Sequence, residues 1–155
     1  MLQSQLIYLV KIGLSLLLGS IIGAEKESQH KSVGIRDIML LCLGSTLFTI
    51  LAFEIPKYNV THSTYDIGRI LAYTIAGIGF LGSGVIIQNK NRIEGITTAT
   101  ILFVILAVGF FCGIGEWVLA IISALCIYGI LRIKQIKVII KKHKKRGIKC
   151  LKKSK

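Results

Sequence analysis

Charged side chains that could hold an ion stand at the borders of apolar segments. Glu25 and Glu27 directly follow the first apolar segment, and Arg36 and Asp37 open the second. Carboxylate oxygens are ligands that Mg²⁺ accepts while it keeps several of its waters. Arg36 could instead hold a carboxylate through two parallel hydrogen bonds. The pattern leaves two interpretations open, a clamp between neighbouring helices, which is the more frequent outcome, and a ligand site.

Polar residues also mark the starts of two later segments. Asp66 and Arg69 are three residues apart, so they would share one face of a helix. They could form an ion pair at the membrane interface. They could also line an outer vestibule, because ionisable residues at membrane depth usually face the bundle interior. Thr97 and Thr98 begin the fourth segment, where a hydroxyl could cap the helix or bond to a neighbouring helix.

The most distinctive line of the sequence is a run of glycines within the third apolar segment. Its members are Gly77, Gly79, Gly82 and Gly84. The first three match G-x-G-x-x-G, but a dinucleotide site would need a preceding strand and an acid about 20 residues further on. Glycine is costly inside a soluble helix, whereas in a bilayer it lets helix backbones approach closely. We therefore expect either a helix-packing surface or a backbone open to an ion, a lipid or a partner helix.

Two further glycine pairs have the G-x-x-x-G spacing that favours close contact between membrane helices. They are Gly19 with Gly23, and Gly109 with Gly113. Lys11 is the one charge well inside the first segment, and we expect it to extend towards the membrane surface.

No motif predicts catalysis or a bound cofactor. The three histidines and four cysteines show no metal-ligand spacing, and the cysteines are expected to behave as small apolar residues. Neither a nucleophile motif nor a phosphate-binding loop is present in the sequence. We therefore do not expect an enzyme, and we assign neither a cofactor nor a metal.

The elements that must position these residues are membrane spans. The chain has 155 residues, of which 53% are hydrophobic, and a single proline; its mean hydropathy is +0.70. Four apolar stretches cover about 6–24, 38–53, 67–88 and 95–131. As one helix the last would be roughly 55 Å long, against a hydrocarbon core of about 30 Å. It must fold back near 113–116, which predicts five spans and an all-α polytopic transmembrane helix bundle.

The distribution of basic residues predicts the orientation of the bundle. Alternate sides carry seventeen Lys and Arg residues against one. The positive-inside rule then places the N-terminus outside and the C-terminus in the cytoplasm. We divide the chain into a membrane domain, 1–131, whose first span is expected to be retained, and a basic tail, 132–155. The tail is expected to lie on anionic lipid rather than nucleic acid, because no aromatic stacking residues accompany its charge.

Taken in order, several of these motifs resemble the membrane domain of the MgtC/SapB family of bacterial proteins. The similarity runs through GSIIGAEKE at 19–27, Gly34-Ile35-Arg36, Asp66 with Arg69, GIGFLGSG at 77–84 and GITTA at 95–99. The resemblance implies a five-span bundle in the bacterial inner membrane. It also implies a role in adaptation to low Mg²⁺, exerted by modulating other membrane proteins.

Two functional hypotheses follow from these observations. The first is a regulator linked to Mg²⁺ or membrane-energy homeostasis, which contacts a membrane-protein partner or a second copy through its glycine surfaces. The second is a divalent-cation or small-solute transporter. In that case Asp66 and Arg69 would form the outer vestibule, and the charges near 25–37 the inner one.

Overall fold

The computed structural model describes residues 2–27, 33–58, 66–89 and 92–133. Within these ranges the chain forms five helices and one short hairpin: α1 (Leu2–Glu27), α2 (Ile35–Tyr58), α3 (Ile67–Val85), β1 (Ile87–Asn89), β2 (Arg92–Glu94), α4 (Ile96–Ile114) and α5 (Trp117–Ile133). The first four helices are long and apolar enough to cross a membrane, and α5 is shorter. The predicted all-α bundle is confirmed, whereas most of the basic tail, Lys90 and Cys150 lie outside the described residues.

The five helices alternate in direction, which gives the bundle two ends. The Glu27 end is where α1, α3 and α5 finish and α2 and α4 begin. The Glu54 end is the opposite one, where α2 and α4 finish. The turn predicted near 113–116 is confirmed, because α4 ends at Ile114 and Gly115 adopts a left-handed conformation with φ 103°.

The core is formed by α1, α2, α4 and α5, with α4 packing against α1, α2 and α3. Its buried side chains include Ile22, Ile38, Ile105, Val108 and Ala120. Helix α3 stands at the periphery. Only 6% of the apolar stretch of α3 is buried within the chain, compared with 50% of the apolar stretch of α4. An apolar groove of about 580 Å³ lies between α3 and α2.

The third apolar segment ends earlier than its hydropathy predicts. Helix α3 stops at Val85, and Ile86 takes an extended conformation with φ −85° and ψ 113°. The chain then forms the antiparallel pair β1–β2, in which Gln88 stands opposite Ile93. The β-branched run at 85–87 favours extended backbone, so the expected continuation of the helix to Gln88 is wrong.

Candidate functional site

At the Glu27 end, two of the predicted carboxylates fix the start of α2. Glu27 Oε2 accepts the backbone N–H of Ile35 at 3.0 Å, and Asp37 Oδ2 accepts that of Gly34 at 3.0 Å. The first backbone N–H groups of a helix lack partners within the helix, and a side chain three residues in can reach back to satisfy one. Glu27 therefore clamps α1 to the beginning of α2, and Asp37 caps the start of its own helix, which favours the structural interpretation.

The arginine expected to hold a carboxylate here is not the one that does so. Within the described residues Arg36 is exposed and forms no ion pair, whereas Arg132 at the end of α5 lies 3.7 Å from Glu25 Oε2. Glu25 is 9% exposed and the neighbouring Lys26 is fully buried. The charge pairing at this end thus joins α1 to α5. The sequence could not predict this ion pair, because Glu25 and Arg132 are over a hundred positions apart.

At the Glu54 end, Asp66 serves as the N-cap of α3. Its Oδ1 accepts the backbone N–H of Gly68 at 2.9 Å. Asp66 and Arg69 are both exposed, and no salt bridge between them occurs in the described structure. The structure thus assigns Asp66 a capping role, while its pairing with Arg69 stays a prediction. A vestibule lined by Asp66 and Arg69 stays a prediction.

The G-x-x-x-G pairs pack as predicted. A Cβ at Gly23 would lie 2.9 Å from the Cα of Ile35 on α2. A Cβ at Gly109 would lie 1.8 Å from Ser45 Oγ, and one at Gly113 would lie 2.4 Å from Thr49 Cβ. These glycines let α1 and α4 approach α2 at backbone distance, which confirms their packing role.

The four glycines at 77–84 on α3 differ from the G-x-x-x-G pairs in how closely other helices approach them. A Cβ added at Gly77, Gly79 or Gly84 would meet no atom within 4 Å, and one at Gly82 would reach only Ala99 Cβ at 3.7 Å. Thus α3 keeps an open small-residue surface within the described part of the bundle. Among the described residues, no helix packs closely against Gly77, Gly79 or Gly84, and an external occupant is the interpretation that stays open.

At the start of α4, Thr97 and Thr98 follow a glycine whose backbone conformation is constrained. Gly95 is the N-cap with φ 89°, and a Cβ there would lie 2.0 Å from the carbonyl oxygen of Val85. Thr98 is buried and Thr97 is half-buried. Gly95 thus holds the end of α3 against the start of α4, a role that the sequence motif alone did not assign.

Sequence reasoning missed a polar cluster at the Glu54 end. Tyr8 on α1 donates its hydroxyl hydrogen bond to Glu54 Oε1 on α2, and Lys57 Nζ lies 2.5 Å from the same oxygen. Lys11 Nζ donates to the carbonyl oxygens of Gly113 at 2.7 Å and Ile114 at 3.3 Å. Lys11 therefore caps the end of α4, and its expected extension towards the membrane surface stays a prediction.

A signal for this cluster was present in the sequence. Lys11 is a charge inside an apolar span, and such charges usually have a named partner. Glu54 and Lys57 have the i, i+3 spacing of a helical ion pair, but they fell beyond the predicted end of the second span. In the described residues, no group of three or more His, Cys, Asp or Glu side chains could hold a metal ion.

Comparison with known proteins shows where the chain belongs. The profile of the MgtC family matches residues 12–138. Protein MgtC of Salmonella typhimurium is 32% identical over 120 residues, which cover 77% of this chain and 49% of that protein. Protein SapB of Bacillus subtilis is 33% identical over 124 residues, covering 77% of this chain and 53% of that protein.

A third relative is named as a putative magnesium transporter, YhiD of Escherichia coli. It is 32% identical over 120 residues, which cover 74% of this chain and 54% of that protein. The chain thus spans about half the length of the curated relatives it matches. No solved structure matches it significantly. Its family match and its series of apolar helices make this chain a multi-pass bacterial membrane protein that belongs to the MgtC family.

Proposed function

We propose that this chain is a regulatory membrane protein, linked to Mg²⁺ or membrane-energy homeostasis, that acts by contacting another membrane protein. The observation that carries the proposal is the open surface of α3. Gly77, Gly79 and Gly84 leave the backbone of α3 accessible. The G-x-x-x-G pairs on α1 and α4, in contrast, already pack against α2. The link to Mg²⁺ rests on the name of the YhiD relative and on the family resemblance.

An open glycine surface suits helix association in a bilayer. Lipid tails are as apolar as leucine side chains, so association depends on close van der Waals contact rather than on hydrophobic burial. Small residues allow that contact, and α3 offers them at 77–84, in its C-terminal half. A partner helix could therefore bind α3 without displacing any side chain of the core.

The test is recovery of a partner from native membranes in gentle detergent. Gly77→Leu and Gly84→Leu are expected to lose that partner, because a large side chain holds the helices apart. Gly129→Leu on α5 is the matched control, since a Cβ there also meets no atom within 4 Å. All three variants should unfold at similar temperatures. A chain that elutes alone, with growth at limiting Mg²⁺ unaffected by either α3 substitution, would contradict the proposal.

The alternative function is transport of a divalent cation or small solute. It is supported by the exposed Asp66 and Arg69 at the Glu54 end and by the name of the YhiD relative. Flux into liposomes discriminates between the two. Mg²⁺ entry above that of empty liposomes, reduced by Asp66→Asn, would replace the regulatory proposal with a transporter.

A further inference from the structure

A cleft of about 450 Å³ opens at the Glu54 end between α1, α2 and the end of α4. Its polar wall is formed by Tyr8, Lys11, Glu54 and Lys57. Its apolar wall is formed by Ile7, Ile50 and Phe53. Ile7 and Phe53 are 48% and 42% exposed, so the apolar wall is accessible from the lipid side. The cleft therefore presents charge and apolar surface side by side.

The cleft is lined by two ammonium groups and one carboxylate, and each of the three already has a partner. Lys11 lies against the carbonyl end of α4, where the helix dipole supplies partial negative charge. Lys57 is matched by Glu54 at 2.5 Å. The cleft thus has only a small excess of positive charge. It offers an ammonium and a carboxylate at adjacent positions, which complements a ligand that carries both signs of charge.

Hydrogen-bonding capacity is left over on both charged groups. The Lys57 side chain is 62% exposed, and its ammonium has three N–H donors, of which one faces Glu54. Tyr8 and Lys57 both bind Oε1 of Glu54. Within the described part of the chain Glu54 Oε2 accepts no hydrogen bond. The polar wall can therefore donate to a phosphate oxygen through Lys57 and accept from an ammonium group through Glu54.

The position of the cleft indicates where such a ligand would come from. It lies where α2 and α4 end, near the exposed aromatic residues Tyr58 and Trp117, and tyrosine and tryptophan favour the headgroup level of a bilayer. We propose that the cleft binds the headgroup of a phospholipid with a primary ammonium and a phosphodiester. Lys57 donates to the phosphate, Glu54 accepts from the ammonium, and the acyl chains lie on Ile7 and Phe53.

Lipid retention by the purified full chain tests the proposal. The chain is placed in nanodiscs of mixed phosphatidylethanolamine, phosphatidylcholine and phosphatidylglycerol, and the retained lipid is measured by native mass spectrometry. Phosphatidylethanolamine should be enriched, because the choline group has no N–H and glycerol has no positive charge. Lys57→Gln and Glu54→Gln should each weaken its retention about tenfold, the effect of one lost charged hydrogen bond.

Arg69→Gln and Glu116→Gln are the matched controls, since both side chains are exposed at the same end and neither lines the cleft. They should leave retention unchanged. Should Glu54→Gln fail to fold, Lys57→Gln decides alone, because Lys57 is mostly exposed. Equal retention of the three lipids, or unchanged retention by Lys57→Gln, overturns the proposal. Displacement of the lipid by soluble phosphoethanolamine at equal concentration would assign the cleft to a free headgroup compound and overturn the lipid assignment.

Discussion

Gly109 stands where α4 comes closest to α2. A methyl group at this position would lie 1.8 Å from Ser45 Oγ and 2.5 Å from the carbonyl oxygen of Cys42. The Ser45 side chain could rotate, but the backbone oxygen could only move with its helix. A substitution here must therefore separate α2 from α4.

We expect Gly109→Ala to lower the free energy of unfolding by about 1–3 kcal/mol, the usual cost of overpacking a tight core. Thermal or denaturant unfolding in detergent measures this effect. Gly44→Ala is the control, because Gly44 lies on α2 with no atom within 4 Å of an added Cβ. Alanine there should be neutral or slightly stabilising, since it favours helix more than glycine does. Equal stability of the two variants would contradict the packing role of Gly109.

Residue identity predicted some local roles and not others. The spacing of Gly109 and Gly113 was sufficient to predict close packing, because residues four positions apart lie on the same face of a helix. The partner of Lys11 could not be predicted, because it is a pair of backbone carbonyls that become available only where α4 happens to end. Glu54 was missed for a related reason. Its helix continues through Pro56 to Tyr58, beyond the last apolar residue of the span.

Helix α3 begins with a side-chain cap. Asp66 has an extended backbone with φ −101° and ψ 103°, and its side chain accepts the backbone N–H of Gly68. Asp66→Ala leaves that N–H without its partner and is expected to destabilise the start of the helix by about 1 kcal/mol. Hydrogen exchange of the backbone amides at 67–70 should rise in Asp66→Ala.

The conservative variant Asp66→Asn separates the effect of the helix cap from the effect of the negative charge. Asp66→Asn keeps a side-chain acceptor and should retain the protection of wild type, because asparagine caps helices about as well as aspartate. Increased exchange in Asp66→Asn, or unchanged exchange in Asp66→Ala, would show that Asp66 does not act as the cap.

At the scale of elements, hydropathy predicted the number of helices and most of their positions. It could not predict the β1–β2 hairpin, because Val85, Ile86 and Ile87 are as apolar as a helix continuation would be. The decisive constraint is tertiary. Gly95 must adopt a positive φ beside the carbonyl of Val85, and this fixes where α3 ends and α4 begins.

The orientation that the charge distribution predicts for the whole bundle can be tested through Cys150. Cys42 and Cys112 are buried, whereas Cys126 is exposed, so the experiment uses a Cys126→Ala background. An impermeant thiol reagent should label Cys150 only after the cytoplasmic side is opened. Tyr58→Cys, at the exposed end of α2, should react from outside intact cells. Labelling of Cys150 from the outside would reverse the predicted topology.

The whole molecule combines a four-helix core with one helix that is scarcely buried. Core residues such as Ile105 and Val108 contact neighbours on several helices, whereas Ile78 is the one buried residue described on α3. Mutational effects at well-separated sites with no shared partners usually add. Substitutions in the core should therefore change stability, while those on the outer face of α3 should leave it nearly constant. The peripheral placement of α3 thus decouples the stability of the bundle from the identity of whatever molecule occupies that helix.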